Sequence, residues 1–288
     1  MSQAPDASGN YPYDAAFQGS RGAFSEDASY QLLSKEARLL PCDRLEDVFE
    51  VVSSGRARCG VVPIENTLAG SIHRCYDLLN EHELKIVGET ICRIEHALIA
   101  RPGVELKQIR KAMSHPVALA QCENFFRQHP EIQQVSVFDT AGAVESMMSG
   151  GPSDCAAVAS RRAAEVYGGV VLAAGIQDHA ENYTRFLLIT PGRDVTPEGS
   201  SDFKTTLVFR IANLPGGLYE ALRPFAERRI DLSKLESRPV RGAPFEYLFY
   251  LDLIGCDDLA RITGALDELS KMAASMRVLG SYRRFKGK

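Results

Sequence analysis

From residue 12 to residue 190, short apolar runs alternate with stretches of helical period, which restricts the chain to a layered α/β architecture. "AAFQG" (15–19) reads as a strand ending in a glycine loop. "FSEDASYQLLSK" reads as a helix with Ser25 as N-cap and Glu26 and Asp27 in its first turn. In "RLEDVFEVVSSG", Leu45, Val48, Phe49 and Val52 recur at i, i+3, i+4 and i+7, an amphipathic helix that Gly55 would cap. "CGVVPI" reads as a buried strand stopped by Pro63, and "KIVGETICRIEHALIA" as one or two strands. The strands of "IRKAMSHP", "QQVSVFDT" and "CAAVAS" are each followed by a helical stretch: "VALAQCENFFRQ", "AGAVESMMS" and "RRAAEVYG". "VVLAAGIQD" and "TRFLLIT" close the series, and a largely parallel sheet is expected.

The pattern then changes. Residues 191–203, "PGRDVTPEGSSDF", have the composition of a linker. Residues 204–285 follow the order βαββαβ, a ferredoxin-like small domain. Residues 1–11 are expected to form a disordered lead, leaving 12–190 as the first domain.

Composition excludes several classes of function. The net charge of -4 provides no global positive field, so nucleic acid is not an expected partner. No apolar run approaches a membrane span of about 18 residues. The seven cysteines are dispersed, odd in number and without a C-x-x-C pair, so the expectation is no metal and free thiols in a reducing compartment. The N-terminal "MSQAPDASGNYPYD" lacks the layout of a signal peptide, so a cytoplasmic location is expected. There is no G-x-G-x-x-G, no phosphate-binding loop signature and no G-x-S-x-G elbow, and the six histidines show no metal spacing.

In an α/β sheet, ligands collect at the carboxyl ends of strands. Those ends here carry Ser25, Asn66 and Thr67 beside Glu65, Gly70 and Ser71, Ser114 and His115, and Thr140. Each is small, hydroxylic or polar and stands near a helix start, where free N–H groups and the helix dipole favour an anion. Any one of them alone is an ordinary cap or turn residue, and His115 reads equally as a turn residue bonding local backbone. Convergence of several on one cleft points to a small molecule with more than one carboxylate or phosphate.

Read in order, "GAFSEDA", "VVPIENTLAGSI", "MSHPVALAQC", "DTAGA", "AAVAS", "GIQD" and "NYTRFLLI" make residues 15–190 resemble the prephenate dehydratases. "NLPGGLY" (213–219) and "LESRP" (235–239) make the second domain similar to the ACT regulatory domain of that family. Some segments also resemble the arogenate dehydratases of plants. The resemblance implies a two-lobed, periplasmic-binding-protein-like catalytic domain and a lyase that converts prephenate to phenylpyruvate, carbon dioxide and water without a cofactor. It implies catalysis by Thr184, with Asn182, Arg185 and Phe186 beside it. Arg185 either binds a carboxylate or pairs with a residue such as Glu65; Phe186 either packs the strand base or meets the substrate ring. It also implies feedback by phenylalanine, bound by Asn213, Leu214, Pro215, Gly216, Gly217 and Leu218 together with Glu236, Ser237, Arg238 and Pro239, in a homodimer or homotetramer. The sequence departs from the family's usual Ala at Gly217, Ser at Thr67 and Gln at Val117. Arogenate as substrate, or an amino-acid sensor without chemistry, are the competing readings.

Overall fold

The computed structural model describes residues 11–150, 152–192, 202–240, 242–256 and 260–286. Residues 1–10 of the expected lead and 193–201 of the expected linker lie outside the described residues. In chain order the first elements are β1 (Tyr13–Gln18), α1 (Phe24–Leu32), β2 (Leu39–Cys42), α2 (Leu45–Ser53), β3 (Ala57–Asn66), β4 (Gly70–Ser71), α3 (His73–Glu81) and β5 (Lys85–Arg93). Next come β6 (Ala97–Ala100), β7 (Lys111–Ser114), α4 (Pro116–Ala120), α5 (Glu123–Gln128), β8 (Gln133–Ser136), α6 (Thr140–Met148), β9 (Cys155–Ala159), α7 (Arg161–Tyr167), β10 (Val170–Ala174) and β11 (Tyr183–Thr190).

These strands build two sheets. One has the order β2-β1-β3-β11-β5, with β4 paired to β3; the other has the order β10-β6-β9-β7-β8. The chain passes between them twice, through 94–96 and back through 175–182. This is the two-lobed, periplasmic-binding-protein-like layout. Its strands are not uniformly parallel. β1 runs parallel to β2 and β3, and β7 to β8 and β9, but β6 is antiparallel to both β9 and β10. β6 enters from the other lobe and not through a helix of its own, so no crossover rule sets its direction.

Four local expectations need correction. Pro63 does not stop β3, which runs on to Asn66. It lies beyond Val61, the last β3 residue paired with β1, so its missing N–H removes no bond on that side. The N-cap of α1 is Ala23, not Ser25, because buried Glu26 reaches back to accept from Gly22 N–H at 2.7 Å and starts the helix earlier. Gly55, at φ 75°, stands one residue past the cap of α2, Ser54. The single helix expected over "VALAQCENFFRQ" is two short ones, because the Asp178 carboxylate takes the first N–H groups of α5, from Glu123 at 3.0 Å and Asn124 at 2.9 Å.

The last elements are β12 (Phe203–Arg210), α8 (Gly217–Glu227), β13 (Leu232–Pro239), β14 (Tyr247–Ile254), α9 (Ala260–Met272) and β15 (Ser275–Arg283), the expected βαββαβ with strand order β13-β14-β12-β15. Leu207, Phe209, Phe225, Leu251 and Leu269 form the buried centre between its sheet and its helices. The chain divides into two compact units, Met1–Ser71 with Thr90–Phe186 and Ile72–Glu89 with Leu187–Lys288. The second unit therefore recruits α3 and the start of β5. Tyr250 Oη donates to Tyr76 O at 2.6 Å, Arg238 pairs with Asp77 at 3.2 Å, and buried Lys204 pairs with buried Glu89 at 2.8 Å. Among the described residues no helix is long and apolar enough to cross a membrane.

Gly280 lets β15 approach Ile86 so closely that a Cβ there would fall on the Ile86 carbonyl oxygen. Gly280→Ala should therefore lower unfolding stability by about 3 kcal/mol, read by chemical denaturation.

Candidate functional site

Thr184 lies at the mouth of β11, nearly buried, and a directed chain of side-chain amides ends on it. Asn66, the last residue of β3, accepts at Oδ1 from Leu68 N at 3.0 Å and Ala69 N at 2.8 Å. Only the oxygen of a carboxamide can accept, so these two backbone donors fix which way the amide faces. Its Nδ2 then donates to Thr184 Oγ1 at 2.9 Å, to Asn182 Oδ1 at 2.7 Å and to Tyr183 O at 3.1 Å. Asn182, fully buried, passes the direction on: its Nδ2 donates to Gln121 Oε1 at 2.9 Å. His96 Nε2 lies 3.0 Å from the same Gln121 oxygen.

Thr184 therefore receives a hydrogen bond on its oxygen, and among the described residues nothing takes its own hydrogen. A hydroxyl held this way presents a donor. Asn66 uses both amide hydrogens and its oxygen within this network, and Asn182, fully buried, links it to Gln121.

Strand alternation separates the neighbouring residue. Thr184 and Asn66 meet on one side of β11 and β3, while Arg185 and Glu65 meet on the other, at 3.0 Å. Arg185 is nearly buried there, and Glu65 is the ion-pair partner expected for it. Phe186 is buried at the strand base.

The remaining expected residues divide into braces and free hydroxyls. Thr67 Oγ1 donates to Glu181 O at 3.1 Å and accepts from Tyr183 N at 2.9 Å, tying the loop after β3 to the entry of β11. Gly70, at φ 82°, turns that loop, and Ser71 pairs back with Glu65. Ser114 is fully buried and donates to Val158 O at 2.6 Å. His115 caps α4, its Nδ1 accepting from Val117 N at 3.2 Å, the local turn role. Thr140 is the first residue of α6, whose cap, Asp139, accepts from Gly142 N–H. No hydrogen bond among the described residues takes the side chain of Ser25 or Thr140.

Gln121 and His96 are the site residues that sequence reasoning misses. Gln121 lies in the quoted stretch "MSHPVALAQC", yet a residue at a helix end next to Cys122 carries no spacing signal. His96 stands in a crossing between sheets that no periodicity marks. Gln121 Nε2, unlike its oxygen, is left without a partner among the described residues.

A cavity of about 950 Å³ lies beside α1. It is lined by Phe24, Asp27, Tyr30, Arg93, Glu95, Arg161 and Arg162, and none of the amide-chain residues line it. Phe24 connects the two, its ring and that of His96 making a T-shaped pair at 5.8 Å, and Glu95 of the lining precedes His96 in the chain. In the second unit, Asn213, Leu214, Gly216, Gly217 and Leu218 line a hollow of about 180 Å³ with Tyr219, Tyr247 and Phe249. Gly216 caps α8 at φ 80°. Glu236 and Arg238 do not join that hollow; they pair with His73 at 3.3 Å and with Asp77 at 3.2 Å. Pro239 reaches it only through its strand partner Tyr247, and Ser237 pairs with Phe249 in the same ladder.

Burial pushes the His96 pKa below its usual 6.5. The unfolded chain then binds this proton more readily, so the contribution of neutral His96 is complete above pH 6.5 and is lost as pH falls below it. The stability of wild type relative to His96→Gln should decrease as pH drops from about 7.5 to about 5, measured by denaturant unfolding at each pH.

Residues 15–193 match a family model described as "PDT: Prephenate dehydratase". The chain is 42% identical over 278 residues to arogenate dehydratase/prephenate dehydratase 2 of Arabidopsis thaliana, covering 93% of this chain and 72% of that protein. A solved prephenate dehydratase from Arthrobacter aurescens, in complex with L-Phe, has a TM-score of 0.85 at 35% identity, covering 94% of this chain and 89% of that one. GqqA, described as a novel type of quorum quenching acylase, has a TM-score of 0.85 at 36% identity, covering 93% and 97%. The family match takes in both sheets, both crossings and the whole amide chain around Thr184: this chain belongs to the prephenate dehydratase family.

Proposed function

We propose that the protein catalyses the decarboxylating dehydration of prephenate to phenylpyruvate in phenylalanine biosynthesis. The observation that carries this reading is the polarity of Thr184. Its oxygen accepts from Asn66 Nδ2, which leaves its own hydrogen available to donate. In the reaction the ring carboxylate leaves as carbon dioxide and the electrons of that bond move into the ring. The C4–O bond then breaks, and the departing hydroxide takes up one proton to become water. Hydroxide is a poor leaving group, and a donor on its oxygen lowers the barrier as charge develops. A Thr hydroxyl is too weak an acid to surrender its proton outright, so Thr184 stabilises the leaving oxygen by hydrogen bonding and solvent supplies the net proton. The ring becomes aromatic, which drives the reaction, and no cofactor is called on.

Arg185 is committed to Glu65, so the substrate's carboxylates fall to the untaken hydroxyls of Ser25 and Thr140, the Gln121 Nε2–H donors and the N–H groups at the helix starts. Acyl transfer is a poorer fit. A nucleophilic Thr needs a base to accept its proton, and among the described residues Thr184 meets an amide donor and no imidazole or carboxylate. Arogenate, with an amino group where prephenate has a keto group, is the second reading, supported by the 42% identity to a relative named for both substrates. The ratio of kcat/KM for the two decides between them.

The βαββαβ unit acts, in this reading, as an ACT domain whose hollow at Asn213–Leu218 holds phenylalanine, its carboxylate on the N–H groups at the start of α8. The same unit leaves Leu214, Tyr219 and Phe245 more than 60% exposed (66%, 69% and 79%), apolar area that a homodimer or homotetramer would cover. All seven cysteines are buried free thiols, in keeping with a reducing, cytoplasmic setting.

Thr184→Ala should lower kcat for prephenate by about 100-fold with little change in thermal stability, while Thr184→Ser keeps most of the rate. A Thr184→Ala enzyme within about threefold of wild type sinks the assignment. Titration calorimetry of the full chain with phenylalanine should show saturable binding that Gly216→Val abolishes, since Gly216 sits at φ 80° where a β-branched residue is strained. A flat titration of the wild-type chain removes the effector role.

A further inference from the structure

We propose that His96 is a positioning residue for Thr184, acting through Gln121, Asn182 and Asn66. This rests on the reading of Thr184 as the leaving-group donor.

The amide chain is directed from both ends. At one end, the N–H groups of Leu68 and Ala69 hold the oxygen of Asn66. At the other, Gln121 Oε1 receives Asn182 Nδ2 and faces His96 Nε2. With the Gln121 oxygen already an acceptor, the only complementary state of His96 carries its hydrogen on Nε2. The ring is nearly buried, and burial favours the neutral form. Its Nδ1 is buried without a hydrogen-bond partner, so Nε2 is the ring's one polar anchor among the described residues. The ring meets the amide of Gln121 and forms a T-shaped pair with the ring of Phe24.

The placement of these residues gives the contact its consequence. Asn66 and Thr184 belong to strands of the first sheet, and Gln121 ends α4 in the second lobe. Asn182 and His96 stand on the two crossings between the lobes. Those crossings are laced together: Ile94 N donates to Asn182 O at 2.7 Å, Ile176 N to His96 O at 3.1 Å, and His96 N to Gln177 Oε1 at 2.9 Å. The Gln121 backbone is fixed at the crossings by Asp178 N, which donates to its carbonyl oxygen at 2.7 Å, while its side-chain oxygen is held by Asn182 Nδ2 and His96 Nε2.

Without His96, the Gln121 side chain can rotate about its fixed backbone and leave Asn182 Nδ2 buried and unpaired, a state the Asn182 side chain escapes by turning. Asn66 Nδ2 shares two hydrogens among three acceptors, so a turn of Asn182 redistributes them and shifts Thr184. The leaving oxygen then meets a misdirected donor, and the loss appears in kcat more than in KM.

The test compares three His96 variants with Thr184→Ala in the full-length protein. Prephenate is the probe, with arogenate in parallel, at a temperature well below every variant's melting point. A Gln side chain places its amide nitrogen near the Nε2 position, whereas Asn places it near Nδ1. His96→Gln should stay within about threefold of wild-type kcat. His96→Asn and His96→Leu should lose about 10-fold in kcat with KM changed by less than about twofold. Asn and Gln are both polar and comparably tolerated, so their difference isolates the donor even if the Leu variant fails to fold. If Asn and Gln are equally slow, or if both match wild type while Thr184→Ala is inactive, His96 only fills space and this inference is overturned while the reading of Thr184 stands. If Thr184→Ala turns over like wild type on both substrates, that reading falls and this one with it.

Discussion

The site depends on the orientation of one side-chain amide. Asn66 terminates β3 and immediately folds its oxygen onto the N–H groups of Leu68 and Ala69, closing a tight turn of its own. That local bond has a remote effect, because a carboxamide has donors on one side and an acceptor on the other. Once the oxygen is occupied, the NH₂ group must face β11, where it meets Thr184, Asn182 and the Tyr183 carbonyl. Thr67, next in sequence, binds the same entry of β11 from the other side of the turn. The Thr184 hydroxyl is thereby engaged as an acceptor, which leaves its hydrogen as the group it can offer.

The rest of the first unit supplies the frame for this turn. The two crossings bring Asn182 and His96 together, and the break between α4 and α5, imposed by Asp178, exposes Gln121 at a helix end where its side chain can reach Asn182. A continuous helix would have placed Gln121 by helical geometry alone. Strand alternation does the opposite work for Arg185. Being adjacent to Thr184 in sequence puts it on the opposite side of the strand, against Glu65, where its charge steadies β3 and β11.

Much of the fold was legible in the sequence because the periodicities are local. The strand–helix alternation, the change of pattern after residue 190 and the amphipathic stripe of α2 all depend on neighbours within a few turns of chain. The failures have two causes. At α1 the competitor is local, since Glu26, beside Ser25, takes Gly22 N–H and moves the start of the helix; in "VALAQCENFFRQ" it is distant, since Asp178, far along the chain, caps the second half. α3 is amphipathic in isolation, but nothing in its sequence says that its partners are Arg238 and Tyr250 of the second unit.

The sequence by itself determined the family resemblance, the candidate role of Thr184 and the strand-end loops where polar residues gather, since order and residue type are properties of the chain. Only the tertiary structure decided which of those residues are braces and which remain open to a ligand. Ser114, Thr67, Asn66 and Asn182 have the same polar character on paper as Ser25 and Thr140. Their side chains are engaged by Val158, Glu181, Thr184 and Gln121, partners from 44 to 118 positions away, and satisfaction of a polar group is fixed by proximity in space.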